Sequence, residues 1–150
     1  MRIFRIIPLF ACIMFLTTAF AWAGSSAGTR AEAQAMCEKA AALVKAKGTS
    51  AFATFQDKNG GFIDRDLYVF VLDGKGVFVA HGTKPVLVGK GSLEMKDANG
   101  FAFVKAFVDV KDKGWVSYRW PDPADGGKVK DKASYIVRVG DYAVGVGYYK

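Results

Sequence analysis

The chain has 150 residues, a formal net charge of +7, 51% hydrophobic and 14% aromatic side chains, and two cysteines. Its length excludes a multidomain architecture. The scatter of its charge, with no run of like sign, excludes the basic stripe of a nucleic-acid binder.

Arg2 and Arg5 precede an apolar stretch from Ile6 to Phe20, and Ala21-Trp22-Ala23 fits the small-x-small rule of signal peptidase. Residues 1–23 therefore read as a signal peptide and residues 24–150 as one domain, periplasmic or secreted. Two other readings stay open. About 20 apolar residues can span a bilayer as an uncleaved inner-membrane anchor. Cys12 could carry a lipid, against which Phe10 and the apolar run beyond the cysteine both stand. Cys37 then remains alone, so an intramolecular disulfide is excluded and stability rests on packing.

Thr29-Arg-Ala-Glu32 has the form of a capping box. Ala33, Met36, Cys37, Ala40, Leu43 and Val44 follow at helical spacing, and Gly48 stops the helix. Cys37 falls in the apolar stripe and reads as a buried thiol. Thr49 to Asp57 forms a second short helix. The period then changes: Leu67–Leu72 and Val77–His81 flank Asp73-Gly-Lys-Gly76, a hairpin signal. Gly82 to Met95 is a loop-rich crossover. Asp97 and Asn99 start a helix with Phe101, Val104, Phe107 and Val108 on one stripe, ended by Gly114. A Trp-rich strand follows, then a turn region from Pro121 to Asp131. Ser134–Val139 and Tyr142–Tyr149 make the last hairpin, in which Gly145 and Gly147 allow close approach of the N-terminal helix. The expected fold class is α+β: a five-stranded antiparallel sheet with a long N-terminal helix and helical crossovers.

The densest chemistry lies between Gly114 and Tyr135, with two tryptophans, two tyrosines, Arg119 and Lys132 on one hairpin. Strand alternation separates Val116, Tyr118 and Trp120 from Trp115, Ser117 and Arg119. Tyr118 and Trp120 offer an O–H and an N–H beside ring area. Lys132 and Tyr135, across the hairpin, add charge and a second hydroxyl. These four are the candidate pocket, weighed against a plain core. Arg119 is a further candidate that alternation points away. His81 ends a strand at a glycine-rich loop, a candidate rim residue; a lone histidine makes no metal site. Asp97-x-Asn99-Gly100 lacks the later acidic ligands of a calcium loop. There is no Gly-x-Ser-x-Gly elbow and no carboxylate dyad, so the chain reads as non-enzymatic, with no cofactor.

Leu72-Asp-Gly-Lys-Gly-Val-Phe-Val-Ala-His81, Leu87-Val-Gly-Lys90, Asp97-Ala-Asn-Gly-Phe101, Gly114-Trp-Val-Ser-Tyr-Arg-Trp-Pro121, Lys132-Ala-Ser-Tyr135 and Gly140-Asp-Tyr-Ala-Val-Gly-Val-Gly147 come in an order that resembles the single Cache domain, type 2, over about residues 30–150. The resemblance implies a PAS-like fold. It implies an extracytoplasmic sensor of the kind found in chemoreceptors and histidine kinases, with a pocket for small organic acids such as acetate, propionate, pyruvate or lactate. The sequence stops at Lys150, after the last strand, which gives the expectation of a stand-alone module serving a membrane sensor kinase or chemoreceptor. A homodimer through the N-terminal helix is a further expectation. The second reading is an envelope module that docks on such a receptor or kinase.

Overall fold

Thr29 opens the first helix as its spacing predicts. In the computed structural model, which describes residues 27–150, the Thr29 hydroxyl accepts from the Glu32 amide and the Glu32 carboxylate accepts from the Thr29 amide at 2.7 Å. The signal-peptide reading and Cys12 lie outside the described residues. Helix α1 (Arg30–Lys47) buries Ala33, Cys37, Ala40, Ala41 and Val44, a face of small residues that lets the helix lie close on a sheet. Gly48, at φ 58°, ends it, and a 3-10 turn (Gly48–Ala51) leads into α2 (Phe52–Gln56), which buries Phe55. No helix among the described residues is long and apolar enough to cross a membrane.

The sheet contains β1 (Ile63–Asp64), β2 (Leu67–Leu72), β3 (Phe78–His81), β4 (Lys113–Asp122), β5 (Lys128–Val139) and β6 (Tyr142–Tyr149), with α3 (Phe103–Asp109) between β3 and β4. Its order is β1-β2-β6-β5-β4, with β3 also paired to β2, and every pairing is antiparallel. This is the expected α+β architecture, with the two-residue β1 as an addition.

Period-two alternation sorts the strands into two cores. Leu67, Val69, Val71, Tyr135, Val144 and Val146 face α1. Phe70, Leu72, Tyr118, Ile136 and Ala143 face the other way, where α3 and the crossover before it cover them. Each fully buried large aliphatic or phenyl side chain contributes about 1.5–3 kcal/mol. The Cys37 thiol has the carbonyls of Tyr135 and Val144 as alternative acceptors for its one proton, and burial pushes its pKa up to about 12, so it is an inert packing group.

Three expectations are corrected. The span from Pro121 to Asp131 is mostly strand: β4 and β5 pair without a break from Lys113↔Val137 to Asp122↔Lys128, around a short 3-10 turn at Pro123–Asp125. Proline is tolerated at Pro121 because β4 is an edge strand. The third helix starts at Phe103, not at Asp97, and it buries Phe103 where Phe101 was expected. Asp97 instead closes its own turn, accepting from the amides of Asn99 and Phe101, while its other oxygen accepts from the Arg119 amide at 2.9 Å. That last bond caps part of the exposed edge of β4 and pins the crossover to it. Finally, Gly145 and Gly147 lie on the face away from α1. A Cβ at Gly145 would run into the Phe70 ring and lie 2.8 Å from Ile136 Cδ1. The glycines make room for side chains of the second core, not for the helix.

Candidate functional site

Between the second sheet face and the crossover is a cavity of about 20 Å³, room for roughly one water. Phe70, Phe78, Phe103 and Phe107 form its apolar walls, and Leu87 and Met95 line it on the crossover side. Tyr68, His81, Tyr118 and Trp120 bring the polar atoms. Phe103 holds two of these in place, stacking on Tyr118 at 4.8 Å and meeting Trp120 edge-on at 5.1 Å.

His81, the only histidine in the chain, is fixed by the crossover that follows it. Its Nδ1 accepts from the Lys84 amide at 3.0 Å and the Thr83 amide at 3.4 Å. In the neutral ring the proton therefore sits on Nε2, which makes His81 a donor. Burial first, then the charges of Lys132 and Lys84, lower its pKa to about 4, so the ring is neutral at pH 7. The ring lies 5.0 Å from that of Tyr68.

Tyr118 shares a hydrogen bond with Ser134 Oγ at 3.0 Å. Its pKa is pushed well above that of an ordinary phenol, first by burial and then by Tyr68, against the opposing bond from Ser134. It stays protonated.

Lys132 is the unusual member. It stands opposite Tyr118 in the β4–β5 register and is only 1% exposed. Its ammonium donates to Tyr68 Oη at 3.1 Å and lies 4.6 Å and 4.3 Å from the Tyr68 and Tyr149 rings. Among the described residues no carboxylate pairs with it. Lysine is almost never fully buried without a counter-charge. The side chain reaches its place along a trough in β6: a Cβ at Gly147 would lie 2.7 Å from Lys132 Cε and strike Ser134 Oγ. Gly147→Ala is expected to displace the ammonium and disturb the Ser134–Tyr118 bond, since the new Cβ meets Lys132 Cε and the buried Ser134 Oγ. Chemical-shift mapping of the variant should show changes centred on Lys132, Ser134 and Tyr68, with the α1 face unmoved.

The structure thus brings Tyr118, Trp120 and His81 around one cavity, with Lys132 behind the Tyr68 wall. It does not bring Tyr135 there. Three positions separate Lys132 from Tyr135, so with regular alternation they occupy opposite faces. Tyr135 packs under α1, 5.0 Å from Trp115. Arg119 is also on the other face, with Nε 3.3 Å from Asp131 and Nη2 near the Val129 carbonyl. Sequence reasoning missed Tyr68, which joins Lys132 to the cavity. Its signal was its place two residues before Phe70, whose partner across the hairpin is His81. On its outer side Tyr68 also lines a cleft of about 390 Å³, together with Arg65, Asp66, Lys84, Asp122 and Tyr149.

The chemistry of the site is one-sided. His81 Nε2–H, the Tyr68 hydroxyl proton and the Lys132 ammonium are all donors, and no carboxylate lines the cavity. Donors beside phenyl walls suit a ligand with an acceptor head and an apolar tail.

Known structures share this arrangement of helix and sheet. A methyl-accepting chemotaxis protein from Vibrio parahaemolyticus superposes with a TM-score of 0.67 at 23% identity, over 79% of this chain and 86% of that one. The periplasmic sensor domain of a chemotaxis protein gives 0.65 at 25% identity, over 79% and 93%. A Cache chemosensory domain, described for its recognition of carboxylic acids, gives 0.63 at 25% identity, over 79% and 91%. No curated protein matches the chain. The Cache domain family model matches residues 32–150, from the first turn of α1 to the last residue of the sequence. With helix, sheet and crossover all inside that match, the chain belongs to the Cache domain family, whose members are extracytoplasmic sensory domains for small molecules.

Proposed function

We propose that this domain binds a short organic acid of the acetate, propionate, pyruvate or lactate class in the cavity between the sheet and the crossover. The observation that carries the reading is Lys132, a fully buried ammonium with a phenol and two ring faces as its partners. A ligand carboxylate supplies the counter-charge that such a group lacks. It replaces the Tyr68 hydroxyl at Lys132 and takes a second bond from His81 Nε2–H, while the tail lies among Phe70, Phe78 and Phe103. One solved relative at 25% identity is a domain described as recognising carboxylic acids, which agrees with this class.

Acetate and propionate are both larger than the single water for which the cavity has room. Leu87 and Met95 must therefore shift outward on binding, and a flexible methionine suits that position. Residues 1–23 act as the export signal and residues 24–150 as the sensing domain, whose occupancy is read by a membrane kinase or chemoreceptor. A docking module on the envelope draws no support from the sheet, because α1 covers one face and the crossover with α3 the other.

A thermal-shift screen of short carboxylates tests the proposal. A true ligand at 100 times its dissociation constant adds about 2.7 kcal/mol and raises the melting temperature accordingly. If none of the four acids moves the transition of the folded protein, while amines or sugars do, the ligand class is wrong.

A further inference from the structure

Three open clefts flank the cavity, and each shares one residue with it. Tyr68 is shared with the cleft at Arg65 and Asp66, Tyr118 with one at Asn99 and Lys150, and Trp120 with one between the crossover and β4. Their charges differ. The Tyr68 cleft sets Arg65 and Lys84 against Asp66 and Asp122, and the Tyr118 cleft sets Arg119 and Lys150 against Asp97 and Asp131. The Trp120 cleft, about 400 Å³, sets Lys84 and Lys96 against Asp97, its Arg119 being paired already with Asp131. The Asp97 oxygens are already engaged by the amides of Asn99, Phe101 and Arg119. Lys84 and Lys96 form no ion pair among the described residues.

Lys84 is central in this arrangement. Its ammonium lies 4.9 Å over the Trp120 ring, and its own amide holds His81. It therefore touches both the side chain that cleft and cavity share and the residue that donates inside the cavity. A cleft dominated by one sign of charge concentrates the opposite ion and raises its rate of arrival.

Resting on the acid-binding reading above, we infer that the anion enters through the Trp120 cleft, steered by Lys84. The carboxylate pairs first with Lys84, which releases the cation–π contact and frees the Trp120 ring to turn aside. The acid then passes to Lys132. Lys84 acts on the rate of arrival and Lys132 on the strength of holding, so the two lysines separate kinetically.

The test uses stopped-flow tryptophan fluorescence with propionate, on the full chain and on K84Q, R65Q and K132M. K84Q is expected to lower the association rate about threefold at low salt, with the dissociation rate within about twofold of wild type. The difference should fade above about 0.15 M salt, where the Debye length is about 8 Å. A second arm needs no ligand. In a Trp22→Phe, Trp115→Phe background, Trp120 is the remaining tryptophan, and K84Q should reduce its quenching by iodide while quenching by neutral acrylamide stays the same. Unchanged iodide quenching, or an effect of K84Q on dissociation alone, overturns the inference. A larger loss of association rate in R65Q than in K84Q also overturns it, by moving the entrance to the Tyr68 cleft. Propionate failing to bind the wild-type chain while iodide still depends on Lys84 sinks the acid reading and supports the steering role.

Discussion

Lys132→Met is expected to lose acid binding while the domain stays folded. The ammonium is a buried charge without a carboxylate partner among the described residues. Desolvation of such a group costs stability, and an apolar side chain of similar length and volume is often neutral or stabilising at a buried ionic site. The third methylene gives way to a thioether sulfur and the fourth to a terminal methyl, both suited to the Tyr68 and Tyr149 rings, and the ammonium is removed. The variant therefore melts at or above the wild-type temperature. A hydrogen bond to a charged group is worth about 1.5–3 kcal/mol, so propionate affinity should fall about 10- to 150-fold. Calorimetric titration beside thermal melting separates the two effects. A variant that unfolds, or one that binds propionate as wild type does, contradicts the role given to Lys132.

The second large effect is on stability. Phe107 joins α3 to the sheet, 1% exposed, with ring centroids 5.2 Å from Phe70, 5.3 Å from Tyr118 and 5.5 Å from Phe103. Phe107→Ala removes a phenyl group from a rigid surround that cannot close over the gap. Substitutions of this kind cost about 3–5 kcal/mol, against a total of about 5–15 kcal/mol for a domain. Chemical denaturation should show a lower midpoint with little change in slope. A loss below about 1 kcal/mol would mean that α3 is not packed in this way.

These two residues differ in how far the sequence announces them. Phe107 belongs to a helical stripe, and its burial follows from spacing alone, although the helix itself begins at Phe103. The reason the start was misplaced is chemical. An aspartate followed by an asparagine two positions on makes the same local turn whether or not a helix comes next, and the partner that decides the matter is the Arg119 amide, 22 residues away. The capping box at Thr29 and the limits of β6 were legible because all their determinants are local. Pro121 and the glycines after it masked strand, because whether β4 lies at an edge is a property of the whole sheet.

For the site, alternation correctly separated Tyr118 and Trp120 from Arg119. Applied to β5 it also separates Lys132 from Tyr135, which stand on opposite faces of the strand. Tyr68 was harder to see. Its importance lies in a bond to Lys132 across 64 residues, and no local pattern in Leu67–Leu72 marks a tyrosine as more than strand material. Gly145 and Gly147 were recognised as sites of close approach, but which sheet face α1 covers is not written in either residue.

The central claim is that a carboxylate is held where His81 and Lys132 converge, and the single histidine allows it to be observed directly. Nitrogen-15 NMR of the imidazole should show a neutral ring protonated on Nε2, with titration delayed to about pH 4. Saturating propionate at pH 7 should shift Nε2–H strongly while Nδ1 keeps its bonds to the Lys84 and Thr83 amides. A ring protonated on Nδ1, or an Nε2–H signal indifferent to propionate that is shown to bind, would contradict the account.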